Sequence, residues 1–287
     1  MNIKWHDRKK ECMKVRERDG VTVLTWPELE KLTDYAHCFT TRLGGVSTGI
    51  YSSMNLSFTR GDRDEDVREN FRRISHVLGF EPEDIVASDQ THTTNVRRIS
   101  GEDRGCGVTK PRRFMDVDGL VTNVPGILLA TFYADCVPLY FVDPEKKAIG
   151  LSHSGWRGPA GRMGAATVKM MKREFGTNPA DLYAAVGPSI CQECYEVSED
   201  VIDAFRKSFS PQQEGSLFYR KENGKYQLNL WEANRIVLQE AGIPEERIFL
   251  PNLCTCCNPE FLFSHRATRG KRGNLAAFLG IKAGSRD

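Results

Sequence analysis

The sequence predicts an α/β fold, an α+β sandwich in which mixed β-sheets are layered between helices. Three observations carry this expectation. Hairpin turns join neighbouring β-rich runs at "DPEKK" (143–147) and about Asn223-Gly224, so part of the pairing must be antiparallel. Segments with helical spacing of apolar residues separate other β-rich runs. The two kinds of element do not follow the strict β-α-β alternation of a doubly wound parallel sheet. No internal repeat or low-complexity linker marks a boundary, so residues 1–287 read as one domain.

The elements follow in order. "VTVLTW" and "HCFTTR" read as strands and lead into a Gly/Ser-rich loop, "LGGVSTGIYSSMN". Residues 64–78 place Val67, Phe71, Ile74 and Leu78 at helical spacing, with acids at the start and Gly79 at the end, as a capped amphipathic helix requires. "DIVAS" and "TNVRRI" read as strands around "DQTH". "GILLATFY", "VPLYFV" and "AIGLSH" are rich in β-branched and aromatic residues and read as strands, the last two forming the "DPEKK" hairpin. "RMGAATVKMMKREFG" is helical and "DLYAAVG" a strand. "SEDVIDAFRKSF" reads as a helix with Ser198 as N-cap. The hairpin "FYRKENGKYQLNL" precedes the helix "WEANRIVLQEAG", and "RIFL" and "GNLAAFLGI" supply late strands.

Composition narrows the function classes. Forty Lys and Arg nearly balance 38 Asp and Glu, which argues against nucleic acid as a partner. The N-terminal "MNIKWHDRKKECMKVRERDG" lacks the apolar run of a signal peptide, and Asp135 and two prolines interrupt the longest apolar region, so no membrane span is expected. Nine cysteines without an export signal suggest reduced thiols, metal ligands or a catalytic thiol, and a cytoplasmic location.

Cys136 and His153 sit at the two ends of the "DPEKK" hairpin, where they can meet at one sheet edge. His92, in "SDQTHTTN", sits at another strand-to-loop junction. His6 and His76 have solvent or helix-face explanations, and His37 and His265 lie in less telling settings. Singly, Cys136 reads as a buried thiol; with Asp135, His153 and the Gly155-x-Arg157-Gly turn it reads as a site. Glycines 155, 158, 161 and 164 lead into a helix, either as an anion-binding terminus completed by Arg157 or Arg162, or as a close-packing turn. "CQEC" (Cys191, Cys194) and "CTCC" (Cys254, Cys256, Cys257) offer thiolates for a structural zinc, but the second group is read as lacking regular C-x-x-C spacing, and packed free thiols are the favoured reading.

The motifs "TRLGGVSTGIYSSMNLS", "DQTH", "DGLVTNVPGILLATFYADCVPLYFVD", "SHSGWRG", "VGPSICQECYEV" and "CTCCNPEFLFSHR" together resemble the YlmD/YfiH/LACC1 laccase-domain family, over about Val21 to Ile281. The resemblance implies a fold similar to that of bacterial toxins with a catalytic Cys/His pair. It implies a zinc held by His92, Cys136 and His153. It also implies phosphorolysis of purine nucleosides (adenosine, inosine, guanosine, methylthioadenosine) with phosphate as co-substrate, and deamination of adenosine. One position departs from the pattern: an arginine is expected about where Asn274 stands.

On this reading a metal-activated water attacks C6 of adenine, with Asp135 either moving the proton or orienting a ligand. Arg42 of "TRLGG", with Gly155 and Arg157 after His153, would hold phosphate. A metal-free thiol hydrolase, with Cys136 as nucleophile and His153 as base, is the main alternative. A copper-dependent polyphenol oxidase, the family's older description, fits poorly because six histidines and no His-x-His pair cannot furnish several copper centres. A non-enzymatic zinc protein would leave the Gly/Arg turn unexplained. The sequence does not specify the oligomeric state.

Overall fold

The computed structural model describes residues 2–7 and 12–284. Its frame is two six-stranded sheets facing each other. The first runs in the order Lys14–Arg18, Val21–Thr25, Tyr35–Thr40, Leu275–Ile281, Leu128–Tyr133, Ile85–Ala87. The second runs Ile248–Phe249, Tyr183–Val186, Val137–Asp143, Ala148–Ser154, Gly119–Thr122, Val96–Arg98. Three of the pairings are parallel and the rest antiparallel, so both sheets are mixed. A small three-stranded sheet holds the Asn223-Gly224 hairpin.

Side-chain alternation builds the layers. Along Leu275–Ile281, Leu275, Ala277 and Leu279 face the second sheet, whereas Ala276 and Phe278 face the helix Asp64–Leu78. All seven residues of the strand are buried, as a strand covered on both faces requires. Val67, Phe71, Ile74 and Val77 of that helix cover the first sheet. The helices Met163–Phe175, Glu199–Ser208 and Leu230–Glu240 cover the second, through Val168, Met171, Ile202, Phe205, Ala233 and Val237. The result is a helix–sheet–sheet–helix sandwich, as the sequence predicts.

The helix over 64–78 forms on the expected residues and ends on Gly79 in the left-handed region, φ 78°. The structure also has elements beyond those expected, among them the strands Lys14–Arg18 and Gly119–Thr122 and the helix Pro211–Leu217. Ser198 occupies the N-cap position of its helix, but its hydroxyl bonds Asp200 rather than the backbone.

One feature of the topology positions the site. Leu128–Tyr133 belongs to the first sheet and Val137–Asp143 to the second, so Ala134, Asp135 and Cys136 carry the chain from one layer to the other. Asp135 makes the bend with φ 88°, a conformation rare for a residue with a side chain. The hairpin register sets Val137 opposite Ser154 and Pro138 opposite His153, which brings Cys136 beside His153 at the sheet end.

Candidate active site and metal centre

His92, Cys136 and His153 converge. Their ligand atoms all lie within 4.8 Å of one another, with Cys136 Sγ 4.0 Å from His92 Nε2. The two imidazoles meet edge to face at 4.8 Å between centroids. Gly155 makes this approach possible: a Cβ there would stand 2.9 Å from His92 Cδ2 and 3.2 Å from Cys136 Sγ. Its absent side chain leaves the space the centre needs.

The residue that organises the centre is Asp118, which the sequence reading did not single out. Its carboxylate accepts from His153 Nδ1 at 2.7 Å and from the backbone N–H groups of Thr91, His92 and Thr93 at 3.0, 3.2 and 2.9 Å. The Thr93 hydroxyl donates to it as well, at 3.1 Å. One buried carboxylate thus fixes the ring of one histidine and the loop that carries the other. It also leaves His153 Nε2 facing Cys136, as a metal-ligating or basic imidazole needs. His92 itself has φ 66°, a left-handed backbone that these bonds hold in place. Asp118 is the first residue of the quoted "DGLVTNVPGILL" motif, but an acid before an apolar strand carries no signal of its own.

The electrostatics follow from burial and pairing. Burial alone would raise the Asp118 carboxyl, but the His153 bond and the Thr93 and Thr91 amides outweigh it and hold it at about 2. Burial opposes charge on His153, yet Cys136 and Asp118 raise it to about 9. Burial would push the Cys136 thiol up, but His153 and His92 draw it down to about 6. The site therefore favours the thiolate, which is both the metal-ligating and the nucleophilic form.

Asp135 has a different place from the one expected. Its carboxylate accepts from Thr255 Oγ1 at 2.6 Å and from the Arg266 backbone N–H at 2.7 Å. These bonds anchor the crossover that presents Cys136. Arg42 is also elsewhere. Its guanidinium donates to the carbonyls of Ser52 and Pro259, both at 2.7 Å, and lies over the Phe263 ring. Arg157 is exposed and stacks on Trp156, and Arg162 pairs with Glu240 through Nη2, while its buried Nη1 has no hydrogen-bond partner among the described residues. The glycine series is a packing device: a Cβ on Gly158 would meet Ser154 and one on Gly164 would meet Leu238.

The triad lies on one wall of a cavity of about 690 Å³, a size suited to a small-molecule ligand. Arg60, Arg68, Lys110, Arg112 and Arg272 line it, with Phe58 and Phe132 among its apolar residues. Arg272 is buried at 7% exposure. It bonds Asn274 and the Gly273 carbonyl through Nη1, while its Nε has no hydrogen-bond partner among the described residues. Burial and the nearby Arg60 lower its guanidinium to about 10.

Residues 36–282 match the family model described as multi-copper polyphenol oxidoreductase laccase. The chain belongs to this family. Among relatives of the laccase-family chain, purine nucleoside phosphorylase YlmD of Bacillus subtilis is 37% identical over 245 residues, covering 85% of this chain and 87% of that one. Adenosine deaminase RL5, from an unknown prokaryotic organism, is 35% identical over 247 residues, covering 83% and 93%. The crystal structure of YfiH from Bacillus licheniformis superposes with a TM-score of 0.87 at 36% identity, covering 93% of this chain and 99% of that one.

Proposed function

We propose that the chain is a metal-dependent purine nucleoside enzyme, transferring the ribosyl group of purine nucleosides to phosphate and deaminating adenosine. The observation that carries this reading is one cavity with two chemistries on its walls: the His92/Cys136/His153 donor set, and a cationic group that includes a buried arginine with an unpartnered Nε. The names of the relatives YlmD and RL5 support the substrate class.

The donors fit zinc. Two imidazoles and a thiolate within 4.8 Å, with Asp118 fixing one imidazole, are the three-ligand set of a zinc site with an open position. When bound, zinc would supply Lewis-acid polarisation of an oxygen held at that position. The donors do not fit several copper centres. His37 is buried and accepts the Trp26 N–H, and His76 is exposed on a helix, so among the described residues only two imidazoles converge.

In phosphorolysis, a phosphate oxygen attacks C1′ of the ribose as the purine leaves with the bonding electrons. Arg272, with Arg60 beside it, places the phosphate through its guanidinium. Phe58 and Phe132 give the purine an apolar surface. Deamination needs no phosphate. Arg272→Ala should therefore depress phosphorolysis of adenosine at least tenfold more than its deamination, about 1.4 kcal/mol of selective loss. Assay of both products from adenosine, with and without phosphate, reads this directly; equal losses would assign Arg272 to the nucleoside or the fold.

A second reading has its own support. Cys136, His153 and Asp118 form a thiol–imidazole–carboxylate series in which the thiol is lowered and the imidazole raised, as in a nucleophilic hydrolase. His92 separates the two.

A further inference from the structure

Away from the cavity, a second donor group forms. The Sγ atoms of Cys191, Cys194, Cys254 and Cys257 all lie within 4.8 Å of one another, and none of the four lines the cavity. The expected irregularity of the second group is corrected here: Cys254-x-x-Cys257 is itself a C-x-x-C pair with Cys256 interposed, matching Cys191-x-x-Cys194. The two arms are far apart in sequence and meet through the Ser189–Cys254 bridge and the Thr255 N–H to Ser189 carbonyl bond at 3.1 Å.

We propose that these four cysteines bind one structural zinc ion that staples the two loops together. The distances suit it. Cys194 and Cys257 Sγ are 3.4 Å apart, well beyond a disulfide bond of about 2.05 Å and close to the roughly 3.8 Å between ligands of a tetrahedral ion with Zn–S of about 2.3 Å. The Cys191 backbone N–H donates to Cys254 Sγ at 3.2 Å, a bond that favours a thiolate acceptor. Cys191 and Cys254 are each 1% exposed, so the ion would be shielded from solvent on that side. Cys191 also comes near His6 and Glu193, but these two are exposed and already paired with each other at 3.0 Å.

The fold has a use for such a staple. Between Phe249 and His265 the chain has no helix or strand, yet Leu253, Cys254, Thr255 and Asn258 are buried. Long ordered stretches without secondary structure need another source of order, and a metal supplies it. The same stretch and its continuation provide Thr255 and Arg266, the two partners of Asp135. Arg266 also donates to the carbonyls of Cys194 and Glu196 at 3.2 and 3.0 Å, which places a cation beside the anionic site. On binding, each thiol loses its proton to solvent and its sulfur donates an electron pair to the ion.

The test removes the other centre first. In a His92→Ala/His153→Ala variant, one zinc per chain should remain, and X-ray absorption should show a sulfur-only shell at about 2.3 Å. Adding Cys194→Ser and Cys257→Ser should remove that zinc and lower the Tm, while a Cys256→Ser control should retain it. Loss of all zinc from the histidine double variant, a shell containing nitrogen or oxygen, or a Cys194–Cys257 disulfide in non-reducing mass spectrometry would overturn the proposal. None of these outcomes depends on the nucleoside chemistry.

Discussion

Cys136, His153 and Asp118 by themselves would satisfy a thiol hydrolase: nucleophile, base, and a carboxylate that orients the base. His92 has no place in that scheme, yet its ring stands against both partners and its backbone is held left-handed by Asp118. A metal gives it equal rank with the other two. His92→Ala should therefore abolish zinc retention at this centre and activity on nucleosides, with unfolding temperature and circular dichroism little changed because the side chain is exposed. Substantial activity without zinc in that variant would favour the hydrolase. The thiol offers a second check. With Cys136 lowered to about 6 by His153 and His92 against the effect of burial, the thiolate predominates above that pH. Alkylation of Cys136 in metal-free protein should plateau above pH 6 and fall tenfold per unit below it, whereas an ordinary thiol would still be gaining rate up to about pH 8.5. Zinc should suppress the reaction across the range. His92, Cys136 and His153 stood out in the sequence because each lies where an apolar run meets a loop, and the structure brings their ligand atoms together. Asp118 did not stand out, since it is one of many acids and its five bonds exist only after folding. Arg42 misled for the opposite reason: a loop arginine looks available until the carbonyls of Ser52 and Pro259 are seen to occupy it.

Elements were legible in proportion to what they bury. The helix Asp64–Leu78 announces itself because one face packs on a sheet and both ends are marked. Lys14–Arg18 is exposed along its whole length, so no apolar period betrays it; it forms by pairing with Val21–Thr25 through Asp19-Gly20. Pro211–Leu217 buries only Leu217, although its Ser210/Gln213 capping box was there to be read. Cys254 and Cys257 escaped pairing on the page because Cys256 breaks the visual pattern. The same proportion governs stability. Phe278 is fully buried in the strand Leu275–Ile281, between the strands Tyr35–Thr40 and Leu128–Tyr133 and under the helix Asp64–Leu78. Phe278→Ala should cost about 3–5 kcal/mol, read as a lowered denaturant midpoint. Val15→Ala, on the exposed edge strand, should stay within about 0.5 kcal/mol. Comparable losses in the two variants would mean that the edge strand contributes packing its exposure does not reveal.

For the whole molecule, the formal net charge of +2 conceals an uneven distribution. Near-neutrality says nothing about how charge is placed around the cavity. There, Arg60, Arg68, Lys110, Arg112 and Arg272 share the lining with Asp64 and Asp89, and among the described residues Arg112 is the only one of these cations with an acid within 4 Å, Asp89 at 3.4 Å. A concave surface with surplus positive charge concentrates anions, and the effect weakens as the Debye length shrinks from about 30 Å at 0.01 M to about 8 Å at 0.15 M salt. Phosphate carries charge and a nucleoside does not. Raising sodium chloride over that range should therefore increase the KM for phosphate several-fold in phosphorolysis and leave the KM for adenosine in deamination unchanged. Initial rates at fixed pH, with potassium chloride as a second salt to expose specific-ion effects, make the comparison. A phosphate KM insensitive to salt would place the anion away from these side chains, and a parallel rise in both constants would indicate that salt acts on the fold.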